Sequence, residues 1–146
     1  MPNWCSNDIS ITGPKAKIKA LWESAQKKGF LQSLNDIGEW SWGTAVNEWG
    51  TKWEVDIDHL EHKPGEISGM FESAWSPPTQ ALVEWFEENP DCHINLKYFE
   101  PGMCFVGEWN DGCDEYIEFN DPTEVPDQWY DYWNLADVYE QDEEEA

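Results

Sequence analysis

The sequence predicts an α+β fold in which helices pack on an antiparallel sheet. Three observations predict it. Short segments such as Asp8–Thr12, Trp53–Asp58 and His93–Phe99 alternate polar and apolar residues, the period of a half-buried strand. Two other stretches space their apolar residues three and four apart, the period of a helical face. The elements also follow one another as strand, helix, strand, strand, helix, strand.

Asp8-Ile9-Ser10-Ile11-Thr12 reads as the first strand, ended by Gly13-Pro14. Proline suits the first turn of a helix. In Lys15–Lys28, Ile18, Leu21, Trp22 and Ala25 make one apolar face, and Gly29 is a stop signal. Residues 30–50 read as a long ordered loop, with a short helical turn through Phe30, Leu31, Leu34 and Ile37. Trp53–Asp58 reads as a strand with an acidic outer face. His62-Lys63-Pro64-Gly65 is a turn, and Glu66–Trp75 is the returning strand. Ser76-Pro77-Pro78-Thr79 enters a second helix, with Leu82, Trp85 and Phe86 on its face and Asn89-Pro90 at its end. His93–Phe99 is the next strand.

That order is the split βαβ, ferredoxin-like arrangement, with helices on one face of the sheet. A hairpin follows, Cys104–Trp109 and Glu115–Phe119 around Asn110-Asp111-Gly112. Pro122 and Pro126 bracket a linker. Asp127 is placed to cap a final helix, Gln128–Tyr139, with Trp129, Tyr132, Trp133 and Ala136 on one face. The expected organisation is one domain over residues 1–140, its extension covering about 104–140, and a disordered acidic tail at 141–146.

Charge narrows the function. The 31 acids and 8 bases give a formal net charge of −23, and every base is lysine. Arginine is the usual bidentate reader of phosphates and guanine. A phosphate backbone repels a chain of this charge, so direct nucleic-acid binding is not expected. The asymmetry is steep. Residues 1–63 hold 7 lysines and 9 acids, whereas residues 64–146 hold Lys97 alone against 22 acids. Such a surface suits a basic partner; it also serves solubility alone.

No apolar run approaches the ~20 residues that span a bilayer. Cys5, Cys92, Cys104 and Cys113 form no CxxC pair, and a zinc site would have to combine Cys92, His93, His59 and His62 at unsuitable spacing. Free thiols and a cytoplasmic location are the expectation, with no cofactor and no metal.

Four strings occur in order: Met1-Pro2-Asn3-Trp4-Cys5-Ser6-Asn7, Trp49-Gly50-Thr51-Lys52-Trp53, Ala74-Trp75-Ser76-Pro77-Pro78, and Tyr98-Phe99-Glu100-Pro101-Gly102 with Phe105 and Gly107. In combination they resemble the YubB-like family of phage and plasmid proteins. The resemblance covers about residues 1–107. It implies a ferredoxin-like domain of mobile-element origin and carries no activity with it. The acidic hairpin, last helix and tail fall outside it.

The candidate partner-binding residues are Glu108, Asp111, Asp114, Glu115, Glu118, Asp121, Glu124, Asp127 and Asp131, which recur every few positions. Such an array can imitate the phosphates of a nucleic acid, which lie about every 1.7 Å of duplex axis. The expected function is binding to a basic, nucleic-acid-handling host protein of restriction or CRISPR type. An alternative places a small molecule or glycan in an aromatic pocket at Trp49, Lys52, Trp53 and Trp75, with Trp40 and Trp42 nearby. No GxSxG, HExxH or P-loop occurs. A hydrolase would rest on a carboxylate pair such as Glu54 and Glu72 on adjacent strands. Asn3 and Asn7 read as residues that satisfy turn backbone groups.

Overall fold

The computed structural model describes residues 3–139. Its strands are β1 (Trp4–Thr12), β2 (Leu60–Lys63), β3 (Glu66–Ala74), β4 (His93–Glu100), β5 (Phe105–Asn110) and β6 (Cys113–Glu118). Its helices are α1 (Lys15–Lys28), α2 (Phe30–Leu34), α3 (Trp42–Glu48), α4 (Thr79–Glu88) and α5 (Asp127–Tyr132). The six strands form one antiparallel sheet in the order β2-β3-β1-β4-β5-β6. Its first four strands have the ferredoxin-like order, and β5 and β6 widen it beyond β4.

Alternation decides the faces. Cys5, Asn7, Ile9 and Ile11 of β1 point to one side, where Ile67 and Phe71 of β3 and Ile94, Leu96 and Tyr98 of β4 join them. The apolar faces of α1 (Ile18, Leu21, Ala25) and α4 (Ala81, Leu82, Trp85) close this main core. A second core lies on the opposite side. There Phe99, Val106 and Ile117 meet Trp129, Trp133 and Leu135 from the C-terminal segment. The helices are therefore not confined to one face: α5 crosses to the other and covers the β4–β6 half. Tyr132 donates to the Asp8 carboxylate of β1, and the Lys97 ammonium lies 5.5 Å from the Tyr132 ring.

Four sequence expectations change. Residues 53–58 form no ladder strand; β2 starts at Leu60 and has only four residues. The side chains of this strap are engaged elsewhere. The Glu54 carboxylate accepts the N–H groups of Leu31 (2.6 Å) and Gln32 (3.0 Å) at the start of α2, and Val55 is buried. Gly69 of β3 lets the strap return closely, because a Cβ there would stand 2.2 Å from the His59 carbonyl oxygen. Second, the 30–50 stretch contains helix α3, started by Ser41, whose hydroxyl accepts the Thr44 N–H. Third, the last helix is interrupted. Asn134 takes φ 54°, and helical turns resume over residues 135–139. Finally, Asp127 lies inside α5 without a capping hydrogen bond, behind Pro126. The expected tail at 141–146 lies outside the described residues.

Candidate functional site

The hairpin that carries most of the predicted partner-binding carboxylates turns at Asp111-Gly112, with φ 47° and 93°. Positive φ at both positions suits a two-residue hairpin turn. Asp111 is occupied locally: it accepts the Ile94 N–H at 2.7 Å and faces His93 Nδ1 at 2.9 Å. Beyond the turn, β6 is the outer strand, and every residue but Ile117 is exposed. Acidic side chains on an open edge also deter strand addition by another chain.

An aromatic layer supports this edge. Tyr98 donates to Asp114 at 2.5 Å, and Tyr116 donates to Glu118 at 3.0 Å. Phe105 packs between the two rings, with centroids 6.0 Å from Tyr98 and 5.2 Å from Tyr116. Gly107 makes room, since a Cβ there would stand 2.4 Å from the Tyr98 hydroxyl oxygen. Burial, then the hydrogen bond to Glu118, pushes the Tyr116 phenol up to about 12. Burial likewise raises Tyr98 well above the ordinary phenol value, with Asp114 adding to it. Both phenols thus remain donors at neutral pH and hold their carboxylates in place. On the other face Glu115 stands directly opposite Glu108. Like charges so placed lower stability by a few tenths to about 1 kcal/mol. Glu108 is oriented by the Asn95 amide at 2.7 Å.

The remaining predicted carboxylates sit on separate elements. Asp121 caps the 3-10 turn Pro122–Glu124 and accepts the Thr123 N–H and hydroxyl, which hold its carboxyl below the usual range. Glu124 accepts the Asn120 N–H. Asp127 and Asp131 are exposed on α5. The nine residues therefore divide into a hairpin group and a linker–helix group.

The predicted aromatic pocket divides too. Trp49 is 1% exposed and belongs to the main core, its indole N–H donating to the Asn35 carbonyl. Lys52, Trp53 and Trp75 do meet, but the lysine itself occupies the space. Its ammonium lies 4.4 Å from the Trp53 ring and 5.1 Å from the Trp75 ring. Trp40 donates to the Lys52 carbonyl, and Trp42 is exposed. The Glu54–Glu72 pair is not assembled, because Glu54 serves α2 on the helical side while Glu72 points from β3 to the opposite face. His62 stacks on Trp22, His93 binds Asp111, and among the described residues no three His, Cys, Asp or Glu groups converge for a metal.

The structure adds a buried polar network around Asn7, a residue expected to satisfy turn backbone groups. Asn7 is fully buried in mid-β1. Its amide donates to the Cys5 and Phe71 carbonyls and, at 2.9 Å, to Ser73 Oγ. Ser73 donates to the Ser76 carbonyl, Ser76 to the Gly50 carbonyl and Thr51 to the Ala74 carbonyl. Glu100, 1% exposed, accepts the N–H groups of Gly102 (2.7 Å) and Met103 (2.6 Å). Burial above all, and then Glu100, pushes the Cys5 thiol up to about 12. The one signal for Asn7 in the sequence was its register, which places it on the same side of the strand as Cys5 and Ile9.

A family model for the ferredoxin-like domain in Api92-like protein matches residues 48–145. The chain belongs to that family. The Api92-like ferredoxin-like match includes the acidic hairpin and the last helix, so these lie within the family domain rather than beyond it. No curated protein and no solved structure matches the chain.

Proposed function

We propose that this Api92-like domain acts by binding a basic protein surface that handles nucleic acid, presenting the β5–β6 carboxylates where a phosphate strand would lie. One observation carries this reading. Asp114 and Glu118 are pinned by tyrosine hydroxyls while Glu108 and Glu115 stand opposite each other, so negative charge is held in fixed positions at a cost to the fold. An antiparallel strand advances about 3.4 Å per residue. One nucleic-acid strand carries a charge about every 3.4 Å of axis. With carboxylates at Asp114, Glu115 and Glu118 in six residues, the β6 edge has half that density, Asp114 and Glu118 on one face and Glu115, beside Glu108, on the other. This density suits a groove that takes one strand rather than a duplex. The resemblance to YubB-like proteins supports a phage or plasmid origin, and with it a host defence protein as the partner.

The test is a low-salt pull-down from host lysate followed by binding measurements with the recovered protein. Affinity is expected to fall steeply with salt, single-stranded oligonucleotide to compete, and Glu108→Gln/Asp114→Asn/Glu115→Gln/Glu118→Gln to bind at least tenfold more weakly. Binding indifferent to salt, oligonucleotide and these four substitutions refutes the proposal.

A further inference from the structure

The two faces of the sheet are covered unequally. One carries α1 and α4; among the described residues the other carries only the C-terminal segment, seated on Phe99, Val106 and Ile117 of β4–β6. The described residues leave that second face open over β1 and β3. Two adjoining cavities of about 490 and 650 Å³ lie there and share Trp4, Ser6, Met70 and Glu72. Asp56 and His59 of the strap bound one, and Trp133 and Val138 bound the other. Together they form a trough floored by β3 and β1, with the strap as one wall and the C-terminal segment as the other.

Three properties define what fits. The first is width. The residues that both cavities share come from two adjacent strands, β1 and β3, so the floor is roughly 10 Å across at a strand spacing of about 4.8 Å. A helix with its side chains measures about 10–12 Å across. The second is the apolar floor, where Trp4 is 43% and Met70 45% exposed. The third is charge. Asp56 and Glu72 line the trough, and among the described residues no lysine does. The nearby lysines are engaged elsewhere, Lys52 on Trp53 and Trp75 and Lys97 on Tyr132.

We infer that this trough is a docking site for a basic amphipathic helix of a partner protein. The helix lies beside the C-terminal segment, with apolar residues at i, i+3 or i+4, and i+7 on Trp4 and Met70 and with Lys or Arg against Asp56 and Glu72. The chain's own residues 140–146, Glu-Gln-Asp-Glu-Glu-Glu-Ala, have the wrong charge for it, and so does a second copy at −23. The site is separate from the β6 edge, so either can fail without the other.

The test uses the full chain and two synthetic peptides of about 14 residues, roughly 21 Å as a helix. Both have one Leu/Lys composition. In one the leucines share a helical face; in the other they are scattered. Titration followed by calorimetry and tryptophan fluorescence is expected to show at least tenfold preference for the amphipathic peptide. Trp4→Ala/Met70→Asp abolishes the preference, and the four-residue β5–β6 variant keeps it. Backbone NMR shifts in the unaltered protein are expected at Ser6, Met70, Glu72 and His59, a readout independent of variant folding. Equal affinity for the two peptides overturns the inference, as does a shift map that avoids these residues. A Met70-dependent dimer seen by sedimentation, with no peptide preference, overturns it in favour of a second copy.

Discussion

Replacing Glu100 with alanine tests the buried polar network where it is most exacting. The carboxylate lies at the end of β4, 1% exposed, and accepts two backbone N–H groups from the turn that follows, at 2.7 and 2.6 Å. A hydrogen bond to a carboxylate contributes about 1.5–3 kcal/mol. Losing both leaves two donors without their acceptor, and the lost side-chain volume adds a cavity term. Relief from burying a carboxylate offsets part of this. The net loss for Glu100→Ala is about 3 kcal/mol. With a urea slope of about 2 kcal/mol per molar, the midpoint falls by about 1.5 M. Glu100→Gln offers one carbonyl oxygen and turns an amide N–H₂ toward the other donor, so about 2 kcal/mol is lost. Equilibrium urea unfolding followed by fluorescence and circular dichroism gives both values. A shift under 0.5 M for both variants, with the slope unchanged, would show that the turn does not depend on this carboxylate.

Four further outcomes follow from the geometry. Gly107→Ala sets a methyl group against the Tyr98 hydroxyl and the Glu115 carbonyl, each 2.4 Å away, and is expected to destabilise by about 1–3 kcal/mol in the same unfolding assay. Leu135→Ala removes a fully buried side chain from the second core and costs about 2–5 kcal/mol; hydrogen exchange should show faster opening of α5 than of α1. Burial, opposed by Lys97, holds the Asp8 carboxyl above its ordinary value, so the wild type loses stability as pH rises from the ordinary carboxyl value through the folded one. Asp8→Asn should therefore gain relative to wild type between pH 3 and 7, as measured by urea midpoints. Thiol titration at pH 8 should find Cys113 fast and Cys5 slow, because Cys113 is exposed while the Cys5 thiol is buried and pushed up to about 12.

Local pattern set the fold because burial repeats with the period of each element. Ile9 and Ile11, Ile94 and Leu96, and the Ile18–Leu21–Ala25 stripe fall where alternation and helical spacing place them. The same logic misled at residues 53–58. Trp-Glu-Val-Asp-Ile-Asp alternates as a strand does, but Glu54 finds the open N-terminus of α2, a partner distant in sequence. Trp49 and Trp53 show the same limit. Four residues apart and alike in chemistry, one is sealed in the core and the other lies under a lysine.

The acidic surface followed a similar division. Sequence alone fixed its sign, its concentration after residue 63 and the absence of arginine. Composition settles these, and no conformation alters them. Only the tertiary structure decided which carboxylates are rigid and where they lie. Pairing β6 with β5 set Glu115 against Glu108, and the Tyr98 and Tyr116 hydroxyls took hold of Asp114 and Glu118. The crossing of α5 to the second face likewise left β1 and β3 half covered and so made the trough. Side-chain period shows which residues of a strand share a face. What comes to lie over that face depends on contacts between residues far apart in the chain, as between Tyr132 and Asp8.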